Sequence, residues 1–106
     1  MGALILLEAE MHEYLANHIH EEIDGAIDYL TKAIENKSKH PEISYKFYKM
    51  SDMELEHANC LTKMFNSLDK PEDVSDSDYS AMQKSVIDDY SKNMSKIEHM
   101  KKLYWE

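Results

Sequence analysis

Residues 41–68 read PEISYKFYKMSDMELEHANCLTKMFNSL, and their apolar positions Ile43, Phe47, Met50, Ala58, Leu61, Met64, Phe65 and Leu68 return every three or four residues. That period gathers them on one side of an α-helix and leaves Asp52, Glu56, Asn59 and Lys63 outward. Pro41 suits the first turn of such a helix and Glu42 its positive end, so Ser38 to His40 is read as a tight turn. Upstream, Leu4, Leu7, Met11, Leu15, Ile19, Ala26, Tyr29, Leu30 and Ala33 keep the same rhythm against Glu13, His20, Glu21, Asp24, Asp28 and Glu35. They predict one long helix to about Lys37. Two helices joined by so short a turn lie antiparallel.

After Leu68 the composition changes to Asp, Ser, Pro and Glu, with a helix start near Ser75 to Ser77. A third helix follows, roughly Asp78 to Tyr104, with Tyr79, Met82, Val86, Tyr90, Met94, Ile97 and Tyr104 on one face and Lys101 and Lys102 at its negative end. The expected architecture is all-α: a hairpin over 1–68, an acidic linker over 69–77 and a C-terminal helix over 78–106, in one domain. With two Gly, two Pro and no β-branched runs in 106 residues, nothing in the chain reads as a strand.

Charge excludes other classes. Twenty-one acids against twelve lysines give a formal −9, which repels a phosphate backbone and attracts cations. Nucleic acid is not an expected partner. The single Cys60 permits no internal disulfide and no Cys-based zinc framework, and suits a reducing compartment. Ala3 to Leu7 is apolar but has no positive flank and is cut short by Glu8 and Glu10, so it does not read as a secretory signal. No stretch is long enough to span a membrane. The expected setting is the cytoplasm or a compartment filled from it.

Three residues carry chemistry. Glu22 falls inside the apolar arc of the first helix, between Leu15, Ile19, Ala26 and Tyr29. Glu54 and His57, an i, i+3 pair, fall inside that of the second. Burying carboxylates costs several kcal/mol unless something compensates their charge, and a cation does so most directly. Counted outward from the turn at ~1.5 Å per residue, all three arrive at one level of the hairpin. An i, i+3 carboxylate and imidazole share a helix face and can reach one ion. Oxygen-rich ligation with one imidazole favours iron or manganese over structural zinc. The third helix has no acid or histidine inside its apolar arc; Glu98 is at the edge and His99 lies opposite.

A lone Glu on one helix and Glu-x-x-His on the next resembles half of a ferritin-like di-iron site, in which two helices each give a Glu and two others each give Glu-x-x-His. Residues Glu21-Glu22-Ile23-Asp24 through Asp28-Tyr29, and then Glu54-Leu55-Glu56-His57-Ala58, are most similar to the encapsulated ferritins, and the resemblance covers about residues 11–68. It implies a four-helix bundle completed by dimerisation and dimers assembled into a ring. It also implies di-iron ligation by Glu22, Glu54 and His57, with Glu21 and Asp24 as entry acids, and ferroxidase activity on Fe(II) with O₂. That family usually ends in a peptide that docks in an encapsulin shell. Lys102 to Glu106 lacks that small-residue and leucine pattern, which leaves loading into a nanocompartment open. Tyr29, two turns beyond Glu22, is a candidate to hydrogen-bond a ligand carboxylate from behind, and His18, one turn before it, is a candidate for an added ligand or contact, or else a partly buried seam histidine.

Plainer readings stand beside these. The hairpin is alternatively an oligomerisation or adaptor module whose acids pair with Lys, or a rubrerythrin-like peroxide reductase without a Cys-rich electron-transfer domain. Metal buffering without turnover is a further option. His12, His20, His40 and His99 read as surface residues, Cys60 as a small buried hydrophobe, and the eight Met as adaptable packing. Glu8 also projects onto the first stripe.

Overall fold

A computed structural model describes the backbone of residues 2–106 and the side chains of residues 10–106, so the expectations for Leu4, Leu7 and Glu8 fall outside the described side chains. Three helices occur among the described residues: α1 (Gly2–Asn36), α2 (Pro41–Ser67) and α3 (Asp76–Trp105). No strand occurs among the described residues. The helices run up, down and up, in a rod of 57 × 23 × 16 Å.

The α1–α2 seam repeats every seven residues. His12, Ile19, Ala26 and Ala33 on α1 are buried, as are Phe65, Ala58, Ser51 and Ser44 on α2. The His12 ring meets Phe65 edge-on at 5.5 Å between centroids. The Ser51 hydroxyl donates to the Ala26 carbonyl at 2.8 Å, and the Ser44 hydroxyl donates to the Ala33 carbonyl. The two numbers at each of these levels sum to 77, so one register satisfies the whole seam. A strict seven-residue repeat calls for a left-handed supercoil. Small residues near the turn let the backbones approach closely enough for a serine to reach the facing helix. The two serines were not among the expected apolar stripe, yet they are fully buried. Conversely, the expected stripe residues Ile43, Met50 and Met64 are exposed, because no helix among the described residues covers that side of α2.

Helix α3 begins two residues earlier than Asp78, at Asp76, because Ser75 caps it by accepting from the Asp78 N–H at 3.2 Å. Its start is tied down by Tyr79, whose hydroxyl lies 3.1 Å from His12 Nε2 and donates to the Leu68 carbonyl at 3.2 Å. From there α3 runs parallel to α1, burying Ile97 and Tyr104 against the hairpin. Lys37 donates to the Tyr104 carbonyl near its far end, and Lys101 pairs with Asp52 of α2 at 2.7 Å.

His12 corrects the surface reading: it is 1% exposed, enclosed by Phe65 and Tyr79. Cys60 corrects in the other sense. It is exposed rather than buried, since it lies on the open side of the hairpin that α3 does not cover.

Candidate metal centre

Glu22, Glu54 and His57 converge, each offering one ligand atom, with all three atoms within 4.8 Å of one another. Two turns of α2 cannot supply such a set alone. The hairpin register brings α1 alongside at the right level. His57 Nδ1 stands 3.5 Å from Glu22 Oε2. That oxygen is buried and has no hydrogen-bond partner among the described residues. An unsatisfied buried carboxylate oxygen is costly, and a bound cation relieves it.

The Glu54 carboxyl is held above the usual carboxylate range. Its first cause is hydrogen bonding with the Glu22 carboxyl; partial burial and the Glu22 charge add to it, while His57 pulls the other way. Two carboxyls that crowd each other in this manner favour sharing a proton when no cation is bound. Gly25, one turn beyond Glu22, lies beside this contact. A Cβ there would sit 3.4 Å from Glu54 Oε2, already at contact distance.

The donors lie on an open face. The His57 side chain is 59% exposed, and a shallow concavity of about 250 Å³ beside it is lined by Tyr14, His18, Glu22, His57, Cys60 and Leu61. Met11, Tyr14, Ile43, Met50 and Met64 extend the same side of the hairpin as exposed apolar surface. Helix α3 packs against the other side of α1 and leaves this face uncovered.

The remaining candidates are placed differently. His18 lines the concavity, but its Nδ1 pairs with Glu21 at 3.4 Å. Asp24 turns outward to His20 Nε2 at 3.3 Å, and His20 Nδ1 meets Asp89 of α3 at 3.1 Å. Those contacts raise the His20 pKa, the Asp89 hydrogen bond most of all. Glu21 is therefore engaged by His18 at the concavity, and Asp24 by His20 on the α3 side of α1. Tyr29 stacks on Phe47, with 6.2 Å between centroids, and makes no hydrogen bond to the three donors. Gly25 was missed by the sequence reading, and Cys60, read there as a small buried hydrophobe, instead lines the concavity. The glycine's signal, one turn from Glu22, was present.

The family model Rubrerythrin matches residues 13–104, a span that holds all three donors and nearly all of the bundle. The chain belongs to the rubrerythrin family. No curated protein and no solved structure matches it. Membership in the rubrerythrin family makes this an iron-binding, ferritin-like helical domain. The donor chemistry agrees: two carboxylates and one imidazole suit iron, and the orphaned Glu22 oxygen supplies the place for it.

Proposed function

We propose that two copies pack these open faces together, that the joined Glu22, Glu54 and His57 sets hold two irons, and that the shared centre is a ferroxidase of the encapsulated-ferritin kind. The observation that carries the reading is the half-built site. Three donors meet on a face where apolar side chains stay exposed and no helix of the same chain covers them. A rubrerythrin-family site completed within one chain needs four helices, and the hairpin offers two.

The chain's own groups have definite parts. Glu22 Oε2 and His57 Nδ1 face each other and supply one oxygen and one nitrogen donor. Glu54 would complete the set as the second carboxylate donor. Exposed Met11, Met50 and Met64 exclude water once the faces meet. Bound iron supplies one-electron chemistry, Fe(II) to Fe(III), with O₂ as the electron acceptor. Storage or detoxification of iron, in the cytoplasm or inside an encapsulin compartment, follows from that activity.

Peroxide reduction is the second reading, and the rubrerythrin membership favours it. Metal-free protein mixed with Fe(II) in air, and separately with peroxide under nitrogen, tests both. Ferric absorbance should rise faster than in a protein-free control and in Glu22→Ala. Faster oxidation by peroxide than by O₂ would transfer the assignment to peroxide reduction. Equal slow rates in all samples would leave the adaptor reading instead.

A further inference from the structure

The rod is charge-separated from end to end. Residues 28–49 and 95–106, which form the turn end, hold eight lysines and five acids, while the remainder of the chain holds four lysines and sixteen acids. On the α2–α3 side of the basic end lies an aromatic platform. Tyr45 stacks parallel to Tyr48 at 6.4 Å, Tyr48 stacks on Tyr104 at 4.6 Å, and the Trp105 indole donates to the Tyr48 hydroxyl at 3.1 Å. Lys49 stands 5.4 Å above the Tyr45 ring and Lys101 5.6 Å above Tyr48. Trp105 is 64% exposed and Tyr45 45%. Exposed Trp and Tyr flanked by cations have the composition of an interface anchor.

The opposite end carries its complement. The connection between α2 and α3 holds Asp69, Glu72, Asp73, Asp76 and Asp78 within ten residues, with Lys70 as the one cation. Lys70 is taken by Asp76, whose side chain remains 94% exposed. These ends stand apart along a 57 Å rod, several screening lengths at physiological salt (~8 Å), so they cannot neutralise each other within one molecule. A long polyanion is a poor alternative, because laid along the rod it meets sixteen acids. A short acidic segment fits.

We propose that the 69–78 segment of a second copy docks on the Tyr45, Tyr48 and Trp105 platform. This surface is separate from the Glu22, Glu54 and His57 face, so the contact does not depend on the metal reading and can coexist with pairing through that face. It joins unlike ends, and each copy keeps one of each, so assembly continues until a ring closes or a filament grows.

Charge reversal at both ends provides the test, using only exposed residues outside the metal centre. One variant carries Lys39→Glu, Lys49→Glu and Lys102→Glu; the other carries Asp69→Lys, Glu72→Lys and Asp73→Lys. Native mass spectrometry of the metal-free full chain at low salt should give a wild-type species larger than either variant alone forms. An equimolar mixture of the two variants should regain the larger mass and shift the emission of Trp105, the only tryptophan in the chain. Salt well above physiological should break down the wild-type assembly, a readout that needs no variant to fold. Equal masses for all three proteins, a mixture that regains nothing, or a wild-type mass indifferent to salt would overturn the proposal. Loss of iron oxidation with assembly intact would count against the metal reading alone.

Discussion

Replacing Glu54 with glutamine in the metal-free protein should stabilise it at neutral pH. Carboxylate oxygens of Glu22 and Glu54 lie within 4.8 Å, and two unit charges at that separation repel by about 1 to 3 kcal/mol for effective dielectric constants of 80 to 20. Partial exposure at this open face places the value near the lower figure. About 1 kcal/mol corresponds to a rise of roughly 4–8 °C in melting temperature for a domain of this size. The pH dependence has a definite sign. The folded-state pKa of Glu54 is raised above its ordinary value, so the contribution of its bound proton is complete below that ordinary value and is lost as pH rises through the raised one. Wild type should therefore lose stability over that window, the Glu54→Gln variant should not, and the two should converge in acid. Ferrous or manganous ion should raise the melting temperature of wild type and leave the variant unmoved. Calorimetry of both proteins across pH, with and without metal, reads all of this. A metal-free variant less stable than wild type at pH 7 would refute the reasoning, because it would mean that a partner, such as a lysine, already stabilises the Glu54 carboxylate.

Phe65→Ala should cost about 3–5 kcal/mol in chemical denaturation, the range for emptying a buried aromatic site, since Phe65 is 1% exposed and walls in His12. The exposed Cys60 thiol, which lines the concavity beside His57, should react with a thiol reagent in the native protein without unfolding. Metal-induced pairing of the open faces should slow that labelling; an unchanged rate with metal would argue that the faces do not meet.

The helices and the donor trio were legible because both rest on period. Apolar residues at three- and four-residue spacing placed Glu22 on one stripe and Glu54 and His57 on another, and the turn fixed their common level. Less was legible where one helix has two neighbours. A single apolar stripe on α2 merged two faces, the seam of Ser44, Ser51, Ala58 and Phe65 and the open flank of Ile43, Met50 and Met64. Hydropathy separates these poorly, because serine counts as polar although its hydroxyl is satisfied by a facing carbonyl. His12 was misplaced for the same reason: a histidine held by a tyrosine hydroxyl and two rings looks polar in sequence and behaves as core. The course of α3 could not be read from a linker of that length. It was decided by Tyr79 reaching both His12 and Leu68.

The seam also constrains how this hairpin can change length. One residue inserted in either helix between the turn and the Glu22, Glu54 and His57 level turns that helix's members of the trio by ~100° relative to the seam, so the seam layers or the trio must then be misaligned. Matched insertions of seven residues, one block in each helix, would keep every seam layer paired and return Glu22 opposite Glu54 and His57, ~10 Å farther from the turn. Relatives with longer or shorter arms should therefore differ in steps of paired sevens, a rule of increments set by two serines and two alanines rather than by the converging acids and histidine.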